Sequence, residues 1–191
     1  MPQQVCIKDI ADVRMGFHFR GRVHEEPNGN ALVLQIRDVD EAGRFDPEML
    51  TPMEIPNVEN HSLSAGDIVF LARGARRYAF LFNEVQRQNI VPAGYFMVLR
   101  PKNDRVKPDY LAWAMNQELF QAKIDAVSSG TAVPQITKGS LTELEIDVPD
   151  IAIQHRIVAI DRLMQRELHL LHKIRDGRAT LLRAAARNNA G

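Results

Sequence analysis

An α+β fold is predicted for this chain: a strand-rich domain over residues 1–149, then a long, projecting, coiled-coil-like C-terminal helix over 150–191. Three observations predict it. Between residues 31 and 101, short runs of branched aliphatics alternate with Gly, Pro and Asn turns, which is the punctuation of strands. From residue 106 the apolar spacing changes to the helical period. From residue 153, Ile153, Ile157, Ile160, Met164, Leu171, Ile174 and Leu181 fit a heptad seam, broken at Glu167 and Arg178.

At the N-terminus, VCIKDIADVRMG is amphipathic, with Ile7, Ile10, Val13 and Met15 as core candidates and Gly16 as its stop. Residues 17–30 are polar and end in a Pro-Asn-Gly-Asn turn. ALVLQIRDVD, 31–40, reads as a strand. Residues 41–62 read as loop with one short strand. LSAGDIVFLARG, 63–74, places a turn at Ala65-Gly66-Asp67 before a strand. RRYAFLF and NIVPAGYFMVLRP read as two further strands, and Pro92 and Gly94 demand a bulge, an edge or a break. Tyr110, Leu111, Ala114, Met115, Leu119 and Ile124 place a helix over about 108–127, ended by Ser128, Ser129 and Gly130. LTELEIDV alternates, so Leu141, Leu144, Ile146 and Val148 face inward in a strand that Pro149 ends. Asp150 can cap the final helix, expected over about 151–186.

At 1.5 Å per residue that helix is about 50 Å long. It cannot bury its whole seam on a domain of this size, so it is expected to project and pair with another helix. The alternative is a helical hairpin folding back near Asp176-Gly177, since Gly costs about 1 kcal/mol inside a helix.

The chain is 45% hydrophobic and 25% charged over 191 residues, an ordinary globular composition. Its formal net charge is zero, so bulk charge predicts no nucleic-acid partner. The distribution is uneven. Residues 25–68 carry ten acidic residues against Arg37 and Arg44; residues 70–107 carry eight basic residues against Glu84 and Asp104. Either the surface carries a polar field whose basic side can meet phosphates, or the blocks interleave and cancel. The single Cys6 rules out an intrachain disulfide and fits a reducing compartment. No apolar run approaches the roughly 18 residues of a membrane span, and no basic-then-apolar leader opens the chain. The expected location is the cytoplasm.

Catalytic patterns are missing. There is no G-x-x-x-x-G-K-[ST] phosphate loop and no dinucleotide fingerprint. The chain has no Pro-Pro pair, so it lacks the Asn/Asp-Pro-Pro-aromatic loop with which an adenine methyltransferase holds a flipped base. His18, His24, His61, His155, His169 and His172 show no metal-ligand spacing; His169 and His172 share a helix face, which solvent explains. No serine sits in a G-x-S-x-G setting, and Asp104 with Lys107 matches a nuclease pattern only at chance level. No enzyme, metal site or cofactor is predicted.

Several stretches, in one order, resemble the specificity (S) subunit of type I restriction–modification systems. IKDIADVRMG looks like that family's opening "LGDVAEIRSG". LQIRDVD resembles "WIRVKDV", and LSAGDIVFLARG resembles "GDIL…RG". VKPDYLAWAMNQELFQAKI is similar to the "DPxYLxYxL" helix. SSGTAVPQITKGSLTELEIDVP matches "GTAxPxIsKxxLxEixIPLP", and QHRIVAID matches "QRRIVAIL". The ordered set, above all residues 130–158, is specific. Pro149-Asp150-Ile151-Ala152-Ile153-Gln154 departs from the family's Pro-Pro-Leu-x-x-Gln helix entry, and the opening lacks the usual tryptophan.

The resemblance implies a half-length subunit, natural, truncated or a fragment. Residues 1–149 would be a mixed-sheet target-recognition domain and 150–191 a dimerisation and spacer helix. Gly130, Thr131 and Pro134 would form a tight loop, and the strand at 141–148 would return to the domain's sheet. The function implied is non-catalytic: reading double-stranded DNA and directing a DNA adenine methyltransferase subunit, and in complete systems an endonuclease subunit. As a homodimer it would take a bipartite, palindromic target.

The DNA-contact candidates are Arg20, Arg22, Arg37, Arg73, Arg76, Arg77, Arg87, Lys102, Arg105 and Lys138, with Ser129, Thr131 and Gln135 as polar readers. Arg73, Arg76 and Arg77 lead, because three arginines in five residues at a strand-to-turn junction are hard to place in a core. Solvation or pairing with the acidic block is the alternative for each. Tyr78 and Phe80 are assigned to the core. Ile153, Ile157, Ile160, Met164, Leu171, Ile174 and Leu181 are assigned to a partner helix. Two other function classes stay open: the recognition part of a single-chain restriction–methylation enzyme, and a helical assembly module without DNA binding.

Overall fold

The computed structural model describes residues 3–19, 21, 23–40, 43–74, 77–83, 88–129 and 134–188, with side chains as far as Leu181. Two compact units form, residues 1–154 and 155–191.

Among the described residues, the first unit is built on three small sheets. Strands β1 (Gln3–Cys6), β2 (Ala11–Met15), β3 (Ala31–Leu34), β4 (Thr51–Met53), β5 (Ile68–Leu71), β6 (Ala79–Leu81), β7 (Asn89–Pro92), β8 (Phe96–Pro101) and β9 (Glu145–Val148) are joined by turns and by helices α1 (Ile7–Ile10), α2 (Pro108–Met115), α3 (Glu118–Val127) and α4 (Lys138–Glu143). The largest sheet has the order β2-β8-β5-β6 and is antiparallel throughout. A second, β4-β3-β7, pairs β3 antiparallel to β4 and parallel to β7. The third is β1 with β9. Every residue of Ile68–Leu71 and Phe96–Leu99 is buried, the continuous apolar run of a strand covered on both faces. Phe70, Phe96, Ile68 and Leu99 anchor that core.

The structure alters four sequence expectations and bears out a fifth, each for a local reason. The strand expected over 31–40 stops at Leu34. The Gln35 N–H donates to Asp38 Oδ2 at 2.8 Å and the Asp38 N–H to Gln35 O at 3.0 Å, which turns the chain into a 3₁₀ helix, Ile36–Asp38. The interruption expected at Pro92 and Gly94 is a break: NIVPAGYFMVLRP divides into β7 and β8, because Ala93–Tyr95 turns the chain from one sheet into another. Among its described residues, RRYAFLF contributes only β6. The helix expected over 108–127 is cut in two: Asn116 spends its side chain on β6, accepting from Ala79 N at 2.8 Å and donating to Ala79 O at 2.7 Å. Gln117 then takes an extended conformation. The strand expected over 141–148 begins with α4, whose start Thr137 caps by accepting from Ser140 N at 3.0 Å. Only β9 is extended, and it returns to β1 rather than to the larger sheets.

The turn from β7 to β8 needs its glycines. A Cβ at Gly16 would collide with the carbonyls of Pro92 and Ala93, and one at Gly94 with the His18 imidazole. The backbone of Phe17 instead donates to Pro92 O at 2.8 Å, which locks the end of β2 against this turn.

Tyr110 fastens α2 to β9. Its hydroxyl donates to Asp147 O at 2.8 Å, and burial, helped by Asp147, pushes its pKa up to about 12. Unfolded, the phenol ionises near 10. The folded state therefore keeps a proton that the unfolded chain loses, and stability falls as pH rises from 10 to 12. Tyr110→Phe is expected to cost about 1 kcal/mol at neutral pH and to remove that alkaline slope, read from urea midpoints against pH.

The second unit is the greater part of α5, Ile151–Asn188, 38 residues without a break at Gly177. The hairpin alternative is thereby excluded. At 1.5 Å per residue α5 is about 57 Å long. No described helix is long and apolar enough to cross a membrane.

Candidate functional site

One end of the first unit collects the C-terminal ends of four strands. Met15 pairs with Met97, Leu71 with Phe96, and Leu34 with Pro92. The ends of β2, β3, β5 and β7 thus meet around the Ala93–Tyr95 turn. These ends run on into loops, a turn and, after β3, a short 3₁₀ helix, and segments at converging strand ends are where recognition groups gather.

Arg73 lies just beyond β5. Its backbone bridges Gln135, and Gln135 in turn bridges Ser129. The second bridge is reciprocal: the Ser129 N–H donates to Gln135 O at 3.0 Å, and the Gln135 N–H to Ser129 O at 2.9 Å. Two further bonds pin this segment to the β5 exit, Gly74 N–H to Pro134 O at 3.0 Å and Ile136 N–H to Ala72 O at 3.1 Å. Ser129 and Gln135 are exposed. The Arg73 guanidinium stands 5.4 Å from the ring centre of Tyr95, whose residue surface is 49% exposed. This is a cation–π contact, which holds the charged group over the ring, and the guanidinium carries planar, fork-like donors. The cluster offers a cation with a bidentate fork, an amide, a hydroxyl and an aromatic face, chemistry that suits phosphates and base edges.

The other expected contact residues that are described are scattered. Arg37 follows β3 at the same end and is exposed; it pairs with Asp38 at 3.5 Å and reaches Thr51 Oγ1 at 3.5 Å. Lys138 opens α4, three residues after Gln135, and is exposed. Lys102 and Arg105 follow the opposite end of β8, about 20 Å away at 3.3 Å per residue. Lys102 Nζ bonds Lys8 O at 2.9 Å and Asp12 at 3.1 Å, and Arg105 bonds Gln3 Oε1 at 2.6 Å. They share no patch with Arg73. Arg20, Arg22, Arg76, Arg87 and Thr131 lie outside the described residues, as does Gly130.

Arg77 corrects the expectation of an outward-facing triple. Its side chain is 5% exposed, ion-paired with Asp125, and donates to Ser128 Oγ at 2.6 Å. Burial pulls its pKa down. Phe80 is buried and Tyr78 packs against the same core, as expected; burial and nearby Asp40 push the Tyr78 phenol up.

Several of the charges pair, across blocks and within them. Arg100 grips buried Asp67 with two bonds of 2.7 Å, and Arg44 grips Asp40 at 2.8 Å. The bonds Arg100 donates to Asp67 hold its guanidinium pKa up, while burial pulls that of Arg14 beside them down. No cluster of three or more metal-binding side chains occurs among the described residues.

Two contributors escaped the sequence reading. Tyr95 looked like strand; only the Pro-Ala-Gly-Tyr turn hinted at exposure. Gln154 looked like a residue of the helix entry, yet it is fully buried. Its Oε1 accepts from Lys107 N at 2.8 Å, and its Nε2 donates to Arg105 O at 2.9 Å and Pro149 O at 2.8 Å.

On α5, Ile160, Met164, Leu171, Ile174 and Leu181 are between 51% and 72% exposed, Ile153 is exposed and Ile157 half-buried. Leu163, Leu168 and Leu170, outside the heptad seam, are exposed too. At 100° per residue these side chains span about 160° of the helix, wider than a two-stranded seam.

Residues 3–175 match the family model of the type I restriction modification DNA specificity domain. The type I restriction enzyme HindI specificity subunit of Haemophilus influenzae is 29% identical over 135 residues, 69% of this chain and 29% of that protein. Among solved structures, the HsdS subunit from Thermoanaerobacter tengcongensis superposes with a TM-score of 0.64 at 20% identity, over 89% of this chain and 39% of that one. The S subunit of a type I restriction–modification system from M. genitalium gives 0.60 at 16% identity, over 91% and 41%. The chain spans less than half the length of each.

Proposed function

The chain belongs to the family of type I restriction modification DNA specificity domains, whose relatives are non-catalytic specificity subunits, and on that premise we propose that it reads one half of a bipartite DNA target. Arg73, Gln135 and Ser129, with Tyr95 beside them, form the reading cluster. The observation that carries this is their convergence: two backbone bridges bring residues more than fifty positions apart to one strand end at the surface. Lys138 and Arg37 flank the cluster as phosphate contacts. Lys102 and Arg105 belong to a different surface.

Through the exposed face of α5 the chain pairs with a second copy, antiparallel, so that a two-fold axis makes the target palindromic with an unread middle. The width of that face supports contact with a further partner, a DNA adenine methyltransferase subunit, with an endonuclease subunit in complete systems. The complex works in the cytoplasm.

Selection from a random-sequence duplex pool tests this, with and without the methyltransferase subunit. The expected product is an inverted repeat with a fixed spacer. Enrichment of a single asymmetric site contradicts the homodimer, and no enrichment with the methyltransferase present contradicts DNA reading. Arg73→Ala is expected to weaken binding to the selected duplex about 10- to 100-fold and to relax preference at one base pair of each half-site.

A further inference from the structure

We propose that Arg77 is a positioning residue for DNA reading: from inside the domain it clamps the end of α3 and so sets the Ser129–Gln135 bridge against Arg73, without touching DNA. This rests on the DNA-reading function proposed above.

The two legs of the 129–135 segment are held differently. The Gln135 leg is bonded to the β5 exit at Gly74 and Ala72. The Ser129 leg emerges directly from α3, and there Arg77 binds Asp125 and Ser128 together. Ser128 Oγ passes the bond on to Ile124 O at 2.7 Å, and the Ser128 N–H donates to Asp125 O at 3.3 Å. The last turn of α3 is thus tied through one guanidinium to the strand that comes after the Arg73 turn.

A buried arginine is a costly way to fill space. Its Nε has no partner among the described residues, and burial lowers its pKa. Two donors aimed at two partners on one helix end need the planar fork; a leucine packs but cannot align Asp125 with Ser128, and a lysine lacks the fixed geometry.

The test compares wild type, Arg77→Ala and the milder Ser128→Ala in the full chain, on the duplex selected by the wild type. A direct phosphate contact would lower the slope of log K against log salt by about 0.9. A positioning residue leaves that slope unchanged. The expected result for Arg77→Ala is about tenfold weaker binding at the wild-type slope, with faster hydrogen exchange at the Ser129 and Gln135 amides in both variants. The amides of β5 and β8 should exchange as in the wild type, which separates this result from general unfolding. A reduced slope, unchanged affinity, or unchanged Ser129 and Gln135 exchange overturns the proposal. A wild type that selects no duplex overturns the DNA-reading function instead, while the exchange measurement still decides whether Arg77 holds the segment.

Discussion

Ile160→Asp/Ile174→Asp is expected to turn a dimer into a folded monomer. Both side chains are more than half exposed in the single chain, so replacing them takes little from the isolated fold. In a paired helix they are seam positions four turns apart, and each carboxylate would have to be desolvated against apolar partners. In a symmetric pair the double variant introduces four such charges. The dimer dissociation constant should rise at least about a thousandfold, the equivalent of roughly 4 kcal/mol. Light scattering reads the mass, and far-ultraviolet circular dichroism checks that the fold persists. A wild type that is monomeric at micromolar concentration would sink the homodimer, leaving the α5 face to a different partner. A double variant that stays dimeric would place the contact elsewhere.

The second large effect is on stability. Gln154→Met keeps the volume of a fully buried side chain and removes its hydrogen bonding. Lys107 N–H, Arg105 O and Pro149 O would each lose the Gln154 side chain as a partner. At about 1 kcal/mol for each such loss, the unfolding free energy should drop by about 3 kcal/mol with the urea slope unchanged. The reason lies in topology: this one amide ties the start of α5 to the segment between β8 and α2. A loss below about 1 kcal/mol would show that water replaces the amide and that the helix start is held by other contacts.

Much of the chain could be read in one dimension because its signals are local. The β5 strand shows itself by four consecutive large apolar residues after Ala65-Gly66-Asp67. The α5 helix shows itself by nine heptad positions, seven of them apolar. Where the reading failed, a side chain was committed to a distant strand or to a cap. Asn116 looks like any polar helix residue, yet pairing with Ala79 ends α2. Leu141 suits the inner face of a strand and of a helix equally, and Thr137 decides for the helix by capping it.

The site divides in the same way. Arg73 and Arg77 are four residues apart, and composition ranks them alike. One lies over an exposed tyrosine ring and the other is drawn inside by Asp125 and Ser128, partners about fifty residues away. The sequence by itself determined the family, the fold class and the long apolar helix, because ordered motifs and periodicity are properties of neighbouring residues. Only the tertiary structure decided which arginine faces outward, which glutamine holds the helix and which polar residues meet, because those depend on long-range pairing that brings separate stretches to one place.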